Sequence, residues 1–207
     1  MKFIDIHTHN ATSAQNAIFN SGCRHIANRN ISIGIHPWHI SDKWENDFAT
    51  IAGITTEENV IAIGECGFDT LKSSAALERQ EEVFKAHIQL SERLRKPLII
   101  HCVKAFDRLL ALHKELEPQQ AWILHGFRGK PQLAEQLINA GLYISLGERF
   151  NPDSAKAIPI DRLFIESDES HLPIADIYAA VAAAKGISIE PLALHIGYNA
   201  KRCNIAL

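Results

Sequence analysis

The 207-residue sequence has no long hydrophobic run and no cysteine spacing typical of a cross-linked or zinc-binding protein. No stretch approaches the roughly 18 apolar residues of a membrane span, and the N-terminus lacks the basic start and apolar run of a secretory signal. We therefore expect a cytoplasmic protein that does not cross a membrane. The four cysteines lack a CxxC pair, so we expect them to be reduced: Cys23, Cys66, Cys102 and Cys203.

An excess of basic residues is also missing. The chain has 21 Lys and Arg against 24 Asp and Glu, a formal net charge of −3. No general positive field is therefore available to hold a nucleic acid by counterion release alone. A polyanionic substrate would need locally placed cations, and bound divalent metal ions are one source of such charge.

What the sequence does contain is a succession of short apolar runs. Most are nearly continuous in apolar residues, as parallel strands buried on both faces are. They predict seven strands: Phe3–Ile6, Ile31–Ile35, Val60–Ile63, Leu98–Ile100, Trp122–Leu124, Tyr143–Leu146 and Leu163–Ile165. No linker or low-complexity segment interrupts the chain, and 46% hydrophobic content suffices for a sizeable core. We expect one domain over residues 1–207.

Amphipathic stretches lie between the later runs, with apolar residues at three- and four-residue steps. They predict helices over Ala75–Leu94, Phe106–Leu116, Pro131–Ala140 and Ile174–Lys185, with a last helix after Ser188. Strand followed by helix, repeated, predicts an α/β fold.

Polar side chains capable of binding metal follow five of the apolar runs. His7 and His9 are two residues apart, so in an extended strand both imidazoles lie on one face. The others are Glu65, His101, His125 and Asp168. In a barrel of parallel strands the carboxyl ends converge on one mouth, where we expect these six side chains to meet. A single histidine there is more often a loop residue, but the six together predict a metal centre.

Four imidazoles and two carboxylates exceed the three protein ligands of a typical catalytic zinc. They suit two divalent ions about 3.5–4 Å apart, bridged by one carboxylate. The mixed nitrogen and oxygen set fits Zn, Mn, Fe or Ni, and Mg less well.

Seven blocks of this sequence resemble the TatD family of metal-dependent deoxyribonucleases, within the amidohydrolase-like metallo-hydrolases. They span nearly the whole chain in the family's order: DIHTH (5–9), GIHPWH (34–39), AIGECGFD (62–69), RQEEVFKAHIQLSERLRKPLIIHC (79–102), ILHGF (123–127), YISLG (143–147) and LFIESDES (163–170). The resemblance implies a (β/α) TIM-like barrel that hydrolyses phosphodiester bonds in DNA, often from an end.

The resemblance also implies a role for each ligand. One metal is held by His7 and His9, the other by His101 and His125, with Glu65 bridging and Asp168 binding the first metal while serving the attacking water. Glu65 and Asp168 are therefore the expected catalytic residues. His36 is expected to contact substrate; the alternative is a strand-end loop residue next to Pro37.

Some cations follow strand ends, and Arg128 and Arg149 are candidates to hold substrate phosphates, as are Lys104 and Lys130. A solvated surface cation is the alternative for each. Asp5 shares the parity of His7 and is a candidate to orient a ligand. Five other histidines are assigned to helices or loops and are not expected to be ligands, although His171, close to Asp168 in the sequence, stays a candidate: His25, His87, His113, His171 and His195.

Two departures from the family pattern affect the expected substrate and fold. Glu169 and Ser170 follow Asp168 where the family has Ser and Pro, and an added carboxylate repels a phosphate unless it points away. Residues 10–30 are too few for two full crossovers, although Ala17–Asn20 can form a short strand. We therefore expect a trimmed barrel with seven or eight parallel strands and at least one outer helix missing, whose uncovered edge favours a homo-oligomer.

We expect a hydrolase acting on ester bonds, with DNA or another phosphodiester as substrate and water activated by two metals. Two alternatives stay open. One is a hydrolase of an amide, a lactone or a small phosphate ester on the same barrel. The other is a non-catalytic protein that keeps a relic metal site.

Overall fold

Eight parallel strands, hydrogen-bonded in chain order, make up one sheet in the computed structural model, which describes residues 2–10 and 16–207. The strands are β1 (Asp5–Thr8), β2 (Ala17–Asn20), β3 (Ile31–Ile33), β4 (Val60–Asp69), β5 (Leu98–Val103), β6 (Trp122–Leu124), β7 (Tyr143–Leu146) and β8 (Leu163–Ile165). A parallel bridge between Thr8 and Asp168 joins the first strand to the end of the last and brings the sheet into a nearly closed barrel. The predicted trimmed TIM-like barrel of seven or eight parallel strands is confirmed, and the number of strands is eight.

Helices cover the outside of most of the barrel. Those in the described residues are α1 (Trp44–Ile54), α2 (Leu77–Leu94), α3 (Phe106–Leu116), α4 (Pro131–Asn139), α5 (Pro152–Ala157), α6 (Ile174–Lys185) and α7 (Ile189–Arg202). Residues 21–30 connect β2 to β3 without a helix, so the prediction of at least one missing outer helix is confirmed.

The helices α1 and α5 were not predicted from the sequence. In α1 only Trp44 and Ile51 are buried, so its apolar periodicity is weak. The six-residue α5 depends on its cap instead, because the Asn151 side chain accepts hydrogen bonds from the backbone of Asp153 and Ser154.

The apolar runs form the core, as expected for strands covered on both sides. Ile6, Ile63, Ile99, Ile144 and Ile165 are all completely buried, although they come from five different strands. Burial on both faces explains why these strands read as nearly continuous apolar runs.

Two central strands are longer than predicted. Pairing of β4 with β5 continues beyond Ile63 and Ile100 and ends with Asp69 opposite Val103. Glu65 and His101 therefore lie within strands, whereas the sequence placed them just beyond strand ends. Apolar content underestimates strand length here, because these residues have polar side chains that face the barrel mouth. The backbones of the two strands still pair along this extension.

All four cysteines are unpaired, as predicted. Within the described residues, no single helix is long and apolar enough to span a membrane, and only α6 and α7 taken together, at a bend of 106°, meet that criterion.

Candidate active site

The buried carboxylate of Glu65 is the centre of a cluster of polar side chains from several strands. Its Oε1 lies 2.7 Å from Nε2 of His125 and 2.9 Å from Nδ1 of His101. Its Oε2 accepts a hydrogen bond of 2.9 Å from the amide of Asn20. Burial by itself would raise the pKa of Glu65, but the facing histidines, His125 first, hold this pKa well below its usual value. Glu65 is therefore an anion surrounded by nitrogen atoms.

Four potential ligand atoms have the spacing of a coordination sphere, one each from His7, His9, Asp168 and Glu65 itself. Nε2 of His7 lies 3.4 Å from Oε2 of Glu65 and 3.9 Å from Oδ1 of Asp168. Nε2 of His9 lies 3.6 Å and 3.7 Å from the same two oxygens. Ligand atoms bound tetrahedrally at 2.0–2.2 Å from an ion are about 3.4 Å apart. These distances fit a shared cation better than direct hydrogen bonds.

His7 carries a second sign of a missing partner. The residue is completely buried, and neither of its ring nitrogens has a hydrogen-bond partner among the residues that the structure describes. A buried polar group without a partner is costly, and such groups often mark an ion that completes their coordination. The donor set of His7, His9, Glu65 and Asp168 therefore fits a divalent metal ion.

The other side of Glu65 is held together by shorter contacts. Nδ1 of His101 lies 3.3 Å from Nε2 of His125, and both rings lie within hydrogen-bond reach of the same Glu65 oxygen. His36 Nε2 lies 3.1 Å from that oxygen. Ligand atoms within 4.8 Å of one another form three overlapping groups: His7, His125 and Asp168; His7, His9 and Glu65; and His36, Glu65 and His101. The six residues proposed as ligands thus meet in one cluster.

His36 faces the cluster as a hydrogen-bond donor. Its Nδ1 accepts a hydrogen bond of 3.1 Å from the backbone of Trp38, so in the neutral ring Nε2 carries the proton. Burial is the largest cause of a lowered pKa for His36, which favours that neutral form. His36 caps the short 3₁₀ helix Pro37–His39 and also points at Glu65, while its contact with substrate stays a prediction.

A cavity of about 430 Å³ opens beside Asp168. Arg128 and Arg149, the cations expected to hold phosphates, are exposed and line it together with Glu148 and Glu169. The added carboxylate at position 169 therefore lies on the wall of this cavity. Lys104 and Lys130 are not among its lining residues.

Comparison with known proteins identifies the family of this barrel. The sequence profile described as TatD related DNase matches residues 8–203. The chain belongs to the TatD family. It is a metal-dependent hydrolase of that family, and the predicted assignment to hydrolases of ester bonds is confirmed.

Two relatives illustrate the range of descriptions within the TatD family. The uncharacterized metal-dependent hydrolase YcfH of Escherichia coli K12 is 31% identical over 184 residues, 78% of this chain and 68% of that protein. The 3'-5' ssDNA/RNA exonuclease TatD of Klebsiella pneumoniae is 34% identical over 149 residues, 67% of this chain and 56% of that protein.

Two solved structures share the fold at low sequence identity. A TatD family hydrolase from Entamoeba histolytica superimposes with a TM-score of 0.76 at 18% identity and covers 97% of both chains. The TatD homologue YjjV of Escherichia coli K12 has a TM-score of 0.74 at 20% identity and covers 93% of this chain and 78% of that one. At these identities the likeness concerns the fold alone.

Asp69 is part of the site in this TatD-family chain, and the sequence analysis assigned it no role. Its Oδ2 lies 3.1 Å from Nε2 of His101 and accepts a hydrogen bond of 2.6 Å from the indole of Trp38. Its Oδ1 accepts two bonds of 2.9 Å from the backbone of Leu71 and Lys72. Although burial opposes it, these donors lower the pKa of Asp69 to about 2. Asp69 therefore orients His101 so that Nδ1 faces Glu65.

Glu166 supports His125 in a similar way and was also missed. The fully buried carboxylate accepts a hydrogen bond of 2.6 Å from the backbone of Gly126 and lies 3.5 Å from Nδ1 of His125. Burial opposes charge on the His125 ring, yet the carboxylates of Glu65 and Glu166 raise the pKa of His125 well above its usual value. The only sequence signal was a carboxylate directly after the apolar run 163–165.

Asp5 acts on the opposite edge of the site. Its carboxylate accepts hydrogen bonds of 2.9 Å from the backbone and 2.6 Å from the hydroxyl of Ser167. Ser167 precedes Asp168, so Asp5 positions the segment that carries this candidate ligand. Burial is the largest cause that raises the pKa of Asp5, to about 7.

Proposed function

We propose that the protein hydrolyses phosphodiester bonds in DNA at a centre of two divalent metal ions. The observation that carries the proposal is the position of Glu65, whose two oxygens face different groups of imidazoles, His7 and His9 on one side and His101 and His125 on the other. The relative in Klebsiella pneumoniae, described as an exonuclease of single-stranded DNA and RNA, supports a nucleic-acid substrate.

The residues on either side of Glu65 are the proposed ligands. One ion would be held by His7, His9 and Asp168 and the other by His101 and His125, with Glu65 available as a ligand to both. Bound divalent ions lower the pKa of a coordinated water from ~15.7 toward ~7 and draw charge from phosphoryl oxygens.

The chain itself provides the proton acceptor. Asp168 is 24% exposed in its side chain and lies at the boundary between the buried cluster and the open cavity. A carboxylate in that position can accept the proton of an attacking water while remaining in contact with the cluster. Asp168 is therefore assigned as the general base.

Other side chains bind and orient the substrate. Arg128 and Arg149 offer guanidinium groups to phosphate oxygens from the wall of the cavity. His36, neutral with its proton on Nε2, can donate that proton in a hydrogen bond to a phosphate oxygen at the cluster. Arg128 and Arg149 already line the cavity, and His36 already faces the cluster.

The proposal is tested by DNA digestion with the wild type and Asp168→Asn in Mg, Mn or Zn, together with elemental analysis of the purified protein. We expect chelator to abolish nucleotide release and the substitution to lower the rate by about 10²–10⁴-fold. Asp161→Asn, at an exposed aspartate in the short 3₁₀ helix before β8, is the matched control and should retain activity. DNA that stays intact after incubation with the metal-loaded wild-type protein would contradict the proposal.

A second candidate is hydrolysis of a small ester, amide or lactone. The observation in its favour is the presence of Glu148 and Glu169 on the wall of the cavity, where they disfavour a polyanion. This candidate predicts turnover of small chromogenic esters without release of nucleotides, and no gain of DNase activity in Glu169→Gln. A protein that holds metal weakly and substoichiometrically and turns over neither class of substrate would instead support the non-catalytic relic.

A further inference from the structure

One of the three tryptophans is exposed next to the candidate active site. Trp38 is 39% exposed, whereas Trp44 and Trp122 are 7% and 1% exposed. Its indole ring lies 4.6 Å from the ring of His36 and 5.8 Å from that of His101, measured between centroids. An aromatic surface therefore directly borders the cluster of candidate metal ligands.

The indole of Trp38 is fixed in place by polar contacts. Its Nε1 donates a hydrogen bond of 2.6 Å to Asp69, the carboxylate that also holds His101. The short helix carrying it is tied to the loop after β4, because the hydroxyl of Ser73 donates a bond of 2.7 Å to the carbonyl of Pro37. The ring is thus oriented before any ligand arrives, which reduces the entropy lost on binding.

Two exposed residues, Leu71 and Lys72, donate backbone hydrogen bonds to Asp69, the carboxylate that also holds the indole. Leu71 is 67% exposed, and the ammonium of Lys72 lies 4.4 Å from the centroid of the Trp38 ring. One face of the Trp38 ring is therefore covered by the end of the Lys72 side chain, which is flexible and exposed. We call Trp38, Leu71 and Lys72 the indole platform.

We propose that the indole platform binds an unpaired nucleobase of the substrate by stacking on Trp38, while the phosphate of that nucleotide lies at the metal cluster. The inference rests on the proposed DNA hydrolysis and deepens it. Lys72 would move from the ring to a backbone phosphate, a role that suits a flexible cation.

The chemistry of stacking sets the substrate class. Every base has a π face, so one indole accepts all of them without reading sequence. Bases inside a duplex are already stacked on their neighbours and paired, and removing one costs free energy. The platform therefore favours single-stranded DNA or a frayed end over an intact duplex.

The first test compares Trp38→Leu with Trp38→Phe on a single-stranded oligonucleotide and on the same oligonucleotide with terminal abasic residues. Both variants lose the hydrogen bond to Asp69, but only phenylalanine keeps an aromatic ring. For the leucine variant we expect KM on the base-bearing strand to rise about tenfold, equivalent to about 1.4 kcal/mol, with little change on the abasic strand. The phenylalanine variant should retain a preference for the base-bearing strand.

Tyr198→Leu is the matched control. Tyr198 is an exposed aromatic on α7, 48% exposed, and it belongs to neither the cluster nor the cavity. Its replacement should leave both KM values at those of the wild type. Because Trp38 is exposed, we expect its variants to fold, which circular dichroism and the melting temperature will verify.

A second test does not depend on turnover. In calorimetric titrations of the metal-loaded protein, deoxyadenosine monophosphate should bind about tenfold more tightly than deoxyribose 5-phosphate to the wild type. The preference should persist in Trp38→Phe and disappear in Trp38→Leu. In the wild type, the nucleotide should also quench tryptophan fluorescence saturably, because the other two tryptophans are buried.

The two tests separate the inference from the proposed function. If DNA is cleaved and Trp38→Leu matches the wild type in both KM and nucleotide preference, the platform is overturned and the hydrolysis stands. If wild type leaves DNA intact but prefers the nucleotide through an aromatic residue 38, the proposed function fails while the platform is supported. Equal affinity of wild type for the nucleotide and the sugar phosphate overturns the platform without any variant.

Discussion

His87 illustrates how burial decides the chemistry of a single residue. The sequence predicted that His87 lies in a helix and is not a metal ligand. In the structure His87 lies in α2 and is fully buried. Its Nδ1 donates a hydrogen bond of 2.7 Å to the carbonyl of Val83, and its Nε2 accepts one of 3.0 Å from the backbone of Ile35. Burial lowers the pKa of His87 to about 4. The ring is neutral and joins α2 to the segment after β3.

This depressed pKa predicts acid sensitivity of the fold. The unfolded chain takes up a proton near the ordinary histidine value of about 6.5, while the folded protein resists until about pH 4. Stability from this group is therefore complete above pH 6.5 and declines as the pH falls toward 4, by about 3 kcal/mol in total. Urea unfolding at several pH values measures it.

In His87→Gln, the slope of unfolding free energy against pH between 6.5 and 4 should become shallower than in the wild type. His25→Gln, at an exposed loop histidine, is the control for loss of an imidazole elsewhere. Identical slopes for wild type and His87→Gln would contradict the linkage.

Glu166 predicts a separation of metal affinity from stability. Its carboxylate lies behind His125, and one of its oxygens has no hydrogen-bond partner within residues 2–10 and 16–207. Glu166→Gln can keep the bond from Gly126 but removes the negative charge that orients the imidazole. We expect metal affinity to fall about 10–100-fold, with little change in the melting temperature of metal-free protein.

Calorimetric titration with Zn or Mn, paired with thermal unfolding, measures both quantities for Glu166→Gln. Glu135→Gln, at an exposed residue of α4, is the control. If metal-free Glu166→Gln lost as much free energy of unfolding as it loses in metal binding, Glu166 would be assigned to the core and not to the positioning of His125.

At the scale of elements, the pairing of β4 with β5 brings Glu65 and His101 together. Gly67 lies opposite His101 in that pairing and has a φ of +131°, which side chains rarely allow. A Cβ built there would lie 2.2 Å from the carbonyl oxygen of His101. The close approach of these strands therefore depends on glycine.

Gly67→Ala should destabilise the protein by about 3 kcal/mol or more, because both strain and a backbone clash oppose the methyl group. Gly197→Ala is the opposite case: it lies inside α7 with open space around it. There alanine should stabilise the protein by about 0.5–1 kcal/mol. Chemical unfolding of the two variants compares them, and a tolerated alanine at position 67 would refute the packing argument.

At the scale of the molecule, the metal centre links distant parts of the barrel. Its candidate ligands come from β1, β4 and β5 and from the segments after β1, β6 and β8. A divalent ion that binds only the folded barrel should stabilise it by about 2.7 kcal/mol at 100 times its Kd. For a chain of this size the melting temperature should rise by roughly 5–10 °C.

Calorimetry of the protein with ions and after treatment with chelator measures this rise. His9→Gln, which removes one partly exposed ligand, should reduce it. A melting temperature that no divalent ion changes would argue against a metal centre.

The shortened side of the barrel bears on assembly. Ile18 in β2 and Ile31 and Ile33 in β3 are completely buried in the single chain, although the connection between these strands has no helix. The homo-oligomer stays a prediction, but the proposed cause, an uncovered edge of the barrel, is not found at these three residues. Light scattering of the purified protein measures the oligomeric state.

Strands, most helices and the identity of the clustered residues follow from the sequence, because apolar period and the residue type at strand ends are local properties. The predicted short strand Ala17–Asn20 is an example, as is the helix Phe106–Leu116, which the structure reproduces residue for residue. The six-residue α5 was not predicted, because a capping residue and not a periodic apolar face specifies it.

The sequence alone determined that this protein is a parallel α/β barrel with histidines and carboxylates at its mouth. Only the tertiary structure decided which atoms meet: Asp69 between His101 and Trp38, and Glu166 behind His125. These contacts join residues more than 30 positions apart, so no local pattern encodes them. Their geometry depends on how the strands twist and pair as the barrel closes, which sets the direction of every side chain at its mouth.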